Sequence, residues 1–162
     1  MTEIQALIEQ NYYNRKRLLG ILREISQHPS CEEALHWQMP FGSGRAHIGW
    51  QFMHCAATYD RYIHVRLKKG EPRDKILVER YAGGSKPEAG IKVTPQEIEK
   101  TLEESTRPFY DFFQNLPVEK LNEKPHPDAD RTFREVLHLL NWHEAEHSGQ
   151  IQITWNAFKA RN

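Results

Sequence analysis

From Phe133 to Phe158 apolar residues recur at helical spacing, and two histidines and a glutamate fall inside the apolar stripe. At 100° per residue, Phe133, Val136, Leu137, Leu140, Ile151, Trp155 and Phe158 define one face of a helix. His143, Glu144 and His147 fall within that face, whereas His138 lies on the far side. Three polar groups in a buried stripe are costly unless something pairs with them. The stripe therefore demands other helices packed over it, with polar side chains at their middles.

Three further segments read as helices able to pack over it. The first, roughly 2–26, aligns Ile4, Leu7, Ile8, Leu18, Leu22 and Ile25, and its apolar face is interrupted midway by Asn11, Asn14 and Arg15. It ends at His28-Pro29, because a residue before proline avoids the α region. The second, about 45–68, is apolar almost all round, with one polar stripe of His47, Gln51, His54, Thr58 and Arg61. The third starts at Thr94-Pro95-Gln96-Glu97, a capping box with proline at the first helical position, and a kink is expected at Pro108. Thr132-Phe133-Arg134-Glu135 is a second capping box and opens the fourth helix, which runs to about 159.

Between helices, residues 30–44 read as loop, given Pro40 and Gly42-Ser43-Gly44. Residues 69–93 carry Gly70, Pro72, Gly83-Gly84, Pro87 and Gly90 and read as a long connection with one short helical turn around 73–80. No segment reads as a strand. The expected fold is all-α, a four-helix bundle with a long crossover connection, and 162 residues suit a single domain over 1–162.

Lys+Arg and Asp+Glu both number 22, so the chain offers no electrostatic reason to bind nucleic acid or an anionic membrane. No run approaches the roughly 20 apolar residues that span a bilayer. The opening segment shows no apolar signal region, and Cys31 and Cys55 lack a CxxC spacing, which together fit reduced thiols and a cytoplasmic location.

His143 and His147, four apart on a helix, stand about 5–6 Å apart at Cβ and can share one metal ion. Open metal sites commonly take a third protein ligand. The second helix offers His47, His54 and His64, and His54 is chosen for its central position on the polar stripe. Taken alone, His54 reads equally well as a buried structural histidine. Glu144 is the candidate general base, or a partner that orients an imidazole. Asn11, Asn14 and Arg15 have two readings: a boundary where Arg15 snorkels, or a set facing the metal that binds a polar or anionic substrate group. Cys55 points about 100° away from His54 and reads as core.

With these residues in place the chain resembles the DinB/YfiT-like family of metal-binding four-helix bundles. The likeness rests on Tyr13-Asn14 with Arg17-Leu18-Leu19, on Gly49-Trp50-Gln51-Phe52-Met53-His54, and above all on residues 132–151, ending His143-Glu144-Ala145-Glu146-His147-Ser148-Gly149-Gln150-Ile151. The family pattern is H-x-x-x-H, a small or basic residue, then Gly-Gln. Ser148 departs from the arginine more usual at its position. The resemblance implies a three-histidine divalent-metal site at His54, His143 and His147, and commonly a homodimer. It also implies thiol-dependent S-transferases or isomerases among members with an assigned activity.

Three functions are thus expected in competition. One is a metal-dependent transferase or hydrolase acting on a small-molecule substrate, with Zn²⁺, Ni²⁺ or Mn²⁺ and a low-molecular-weight thiol as candidate cofactors. Another is a non-catalytic metal-binding stress-response bundle. The last takes HExxH literally as a zinc protease, although Gln150 and Ile153 stand where the wider protease pattern wants glycine and histidine.

Overall fold

The computed structural model describes residues 1–40, 46–88 and 90–161. Among them there is no strand. The four long helices are α1 (Glu3–Ser26), α3 (Ile48–Asp60), α5 (Pro95–Gln114) and α6 (Phe133–Lys159), with short helices α2 (Cys31–His36) and α4 (Lys75–Tyr81) between them. Capping boxes at Thr2, Thr94 and Thr132 start α1, α5 and α6, each threonine side chain accepting the backbone N–H three residues on. The helix α5 runs on through Pro108 to Gln114.

Two local expectations are corrected. Residues 30–44 are not all loop, since Cys31–His36 is helical. Its Ala34 and Leu35 are fully buried in the core, and His36 Nε2 accepts the Val93 N–H at 3.0 Å. The second helix is not one α-helix over 45–68. It begins at Ile48 and changes to π-helical winding over Arg61–Leu67. The Gly42-Ser43-Gly44 cluster and the expected helix start at Arg45 lie outside the described residues.

α1 packs on α5 and α6, and α3 packs on the same two, so α1 and α3 occupy one diagonal of the bundle and α5 and α6 the other. Hydrogen bonds fix the directions. Glu3 pairs with Arg134 and Glu24 bonds Trp155, so α1 and α6 run parallel. Gln51 lies beside His147 and Thr58 beside His143, so α3 runs against α6. Asn11 meets Tyr110 while Leu19 shares a recess with Leu102, so α5 runs against α1. It follows that the neighbours α3 and α5 are parallel, and the segment between them must travel back along the bundle. That segment is the crossover, and α4 is its helical part, packed on α3.

The core divides in two along the bundle axis. One apolar cluster joins Leu18, Leu22 and Ile25 with Phe52, Leu102, Ile151 and Trp155. The other joins Ile4, Leu7 and Ile8 with Tyr59, Phe109, Phe113, Phe133 and Leu140. Between them sits a waist of buried polar side chains: Asn11, Asn14 and Arg15 from α1, Gln51, His54 and Thr58 from α3, and Asn141, Glu144 and Ser148 from α6.

Candidate metal centre

His54 projects from α3 and His143 and His147 project from one side of α6, and the three converge at the waist. One ring nitrogen from each lies within 4.8 Å of the others. The Nε2 atoms of His54 and His143 are 3.0 Å apart. Two nitrogens each at about 2.1 Å from one ion lie roughly 3.0–3.4 Å apart, so the spacing already fits a shared cation.

The outward ring nitrogens favour one tautomer at His54 and at His147. His54 Nδ1 lies 2.5 Å from the Tyr81 carbonyl, which can only accept, so Nδ1 carries the proton and Nε2 keeps its lone pair. His147 Nδ1 faces Gln51 Oε1 at 3.5 Å, and Gln51 is itself held by an N–H donated to the Ala46 carbonyl. His143 Nδ1 is buried and has no hydrogen-bond partner among the described residues. Trp50 lies flat against His54, ring centres 4.8 Å apart and planes 9° from parallel, which fixes the imidazole in rotation.

Burial keeps these rings neutral. It lowers His143 to about 3, with the nearby His147 and His54 adding to the effect, and lowers His147 to about 4, with His54 adding. His54 is lowered as well by burial, against the pull of its Tyr81 hydrogen bond. Neutral imidazole is the form that ligates, so the group needs to shed no protons near pH 7 to accept a cation. Three neutral nitrogens, two of them supported from behind, suit a borderline divalent metal.

The structure gathers Glu144, Arg15, Asn11 and Asn14 into a separate network between α1 and α6. Arg15 grips Glu144 with Nε at 2.6 Å and Nη2 at 3.1 Å, and the Tyr59 hydroxyl donates to the same carboxylate at 2.7 Å. Asn11 donates to Tyr59 and to Asn141 Oδ1 and accepts from the Tyr110 hydroxyl, so its nitrogen and its oxygen are both engaged. Asn14 donates to the Asn141 carbonyl at 2.9 Å. Burial disfavours charge on Arg15, but the Glu144 carboxylate outweighs it and holds the guanidinium firmly protonated. Tyr59 is raised well above its ordinary value, by burial first and by Glu144 second. Among the described residues no hydrogen bond joins this network to the three imidazoles. Cys55 is fully buried, and that burial raises its thiol.

His47 is not at the group: it caps α3, its Nδ1 accepting the Trp50 N–H at 3.1 Å. Sequence reasoning missed the partners of the ligand candidates. Gln51 and Thr58 were visible as neighbours of His54 on one polar stripe, and Asn141 as the residue one turn before Glu144. The Tyr81 carbonyl carries no signal in the sequence, because any residue there presents one.

A recess of about 280 Å³ is lined by Met39, Ala46, Gln51, Gln150, Ile153 and Thr154, and Gln51 is the residue that connects it to His147. Among the described residues no helix is long and apolar enough to cross a membrane. No curated protein and no solved structure matches the chain. A protein-family model described as DinB superfamily matches residues 10–151.

Proposed function

The chain belongs to the DinB superfamily, and from that premise we propose that it binds one divalent metal ion through His54, His143 and His147 and uses it on a small-molecule substrate. The observation that carries this reading is the convergence of three neutral imidazoles on one point, two of them braced at Nδ1. A bound ion would supply Lewis acidity and lower the pKa of a water or thiol at its open position. The recess that shares Gln51 with the metal group gives a substrate or thiol somewhere to sit. The reaction class proposed is thiol S-transfer or hydrolysis.

Glu144 and Arg15 take a different part in this proposal from the one expected of them. Paired with each other, they hold α6 against α1 one residue along from His143, with Asn11 and Asn14 tying the same two helices. Both Glu144 oxygens are engaged, which weighs against the protease reading and favours, as the second reading, a metal-binding bundle without turnover. The shared cores support reading 1–162 as one domain. Exposed Trp142 and Ile153 on α6 would serve the homodimer expected of the family, with a cytoplasmic location kept as part of the proposal.

Elemental analysis of purified protein tests the premise. About one metal per chain, lost in His143→Ala, supports both readings, and an intact chain that takes up no divalent ion sinks both. A transferase screen over a thiol panel with electrophilic substrates then separates them, turnover favouring the enzyme.

A further inference from the structure

The crossover meets α3 at two places, and one of them is a proposed metal ligand. Asp60 closes α3, 1% exposed, and its carboxylate accepts the backbone N–H of Arg73 at 2.9 Å and of Asp74 at 3.1 Å. The Arg73 side chain lies 3.8 Å from the same carboxylate and reaches on to Glu104 of α5. Asp74 then caps α4, accepting the Leu77 N–H at 2.9 Å. At the far end of α4 the Tyr81 carbonyl accepts from His54 Nδ1 at 2.5 Å.

The two attachments are in register. Residues 54 and 60 are separated by about 9 Å of helix and residues 74 and 81 by about 10.5 Å, at 1.5 Å per residue. α4 is therefore a strut lying back along α3, pinned at one end by Asp60 and at the other by the imidazole. Leu77 and Tyr81 bury their side chains in the same core as Trp50, the residue stacked on His54. Neither attachment is needed to connect α3 to α5, and a connection free of α3 would leave His54 Nδ1 without an acceptor.

We propose that α4 is part of the metal centre, and that Asp60, which touches no imidazole, is a positioning residue that sets metal affinity by holding the Tyr81 carbonyl against His54. This rests on the metal-binding reading above. Because coupling between two equilibria is reciprocal, the metal must in turn hold α4 in place.

Zn²⁺ titrated against a chromophoric chelator, with backbone amide exchange followed in parallel, tests the proposal. Asp60→Ala should weaken Zn²⁺ binding roughly ten- to a hundred-fold, the usual effect of removing an outer support. In the unaltered chain Zn²⁺ should slow exchange at Leu77 and Ala82, and in Asp60→Ala that slowing should shrink. Where Asp60→Ala does not fold, Glu79→Gly takes its place: the position is exposed, and glycine loosens α4 without removing a contact. Its Zn²⁺ affinity should fall several-fold. Affinity within two-fold of the unaltered chain in the folded variant, or α4 amides indifferent to Zn²⁺ while α3 and α6 respond, overturns the coupling alone. A chain that binds no Zn²⁺ overturns the metal-centre reading itself, and the coupling falls with it.

Discussion

Arg15 and Glu144 form a two-point ion pair across α1 and α6, buried at the waist and completed by the Tyr59 hydroxyl. Breaking one side leaves an uncompensated charge in the core. Arg15→Ala should therefore lower stability by about 3–5 kcal/mol in urea denaturation. Replacing both residues with apolar side chains of similar volume, Arg15→Met with Glu144→Leu, should recover much of the loss. A single Arg15→Ala variant within about 1 kcal/mol of the parent would show that water reaches the pair freely.

The metal-free protein should lose stability on mild acidification. Unfolded, each histidine takes a proton near its ordinary value of about 6.5, whereas folded His143 does so only at about 3, and His147 and His47 only at about 4. Between those limits the unfolded chain binds more protons than the folded one, so stability falls as pH falls. It is fully present above about 6.5 and declines down to about 3–4. Thermal melts from pH 7 to pH 4 read this directly. Carboxylates contribute below about pH 5, so the diagnostic window is 6.5 to 5, where a flat melting temperature would contradict the burial assigned to these rings.

Trp50 should report on the metal. Its indole lies flat on His54, so a paramagnetic ion such as Ni²⁺ at the three histidines should quench its fluorescence. Trp37, Trp142 and Trp155 are also present, and Trp50→Phe should remove most of the Ni²⁺-dependent change while preserving stacking. Quenching that survives Trp50→Phe undiminished places the ion elsewhere.

Gly49 lets two segments approach α3 closely. A Cβ there would lie 2.7 Å from Val93 Cγ2 and 3.2 Å from the Leu35 carbonyl. Gly49→Ala should cost about 1–3 kcal/mol by overpacking. Val93→Ala in the same chain should return part of it, read as non-additivity in a double-mutant cycle. Additive losses would mean that the Leu35 backbone, not Val93, is the obstacle.

Much of this architecture is legible in the sequence because it rests on local rules. The capping boxes at Thr94 and Thr132 mark helix starts where they occur, and the periodicity of α6 places His143, Glu144 and His147 on its inner face. What is not legible depends on distant partners. The helix Cys31–His36 is too short for periodicity to register and stands by burying Ala34 and Leu35 and by bonding His36 to Val93. The pairing of Arg15 with Glu144 follows only once α1 and α6 are known to run parallel. The π-helical winding after Asp60 is a choice of backbone hydrogen bonds that the side-chain pattern does not record.

The parallel arrangement of α3 and α5 has a consequence for the order of events in folding. His54 and His143 are 89 residues apart in sequence, and the helix carrying the second leaves the ribosome after the other three long helices. The three imidazoles therefore meet only after a long loop has closed and its entropy has been overcome. A nascent chain lacking α6 presents His54 alone, a weak monodentate ligand. A metal site built on these three histidines would thus form only once α6 has joined the bundle, and a chain lacking α6 would not load an ion there.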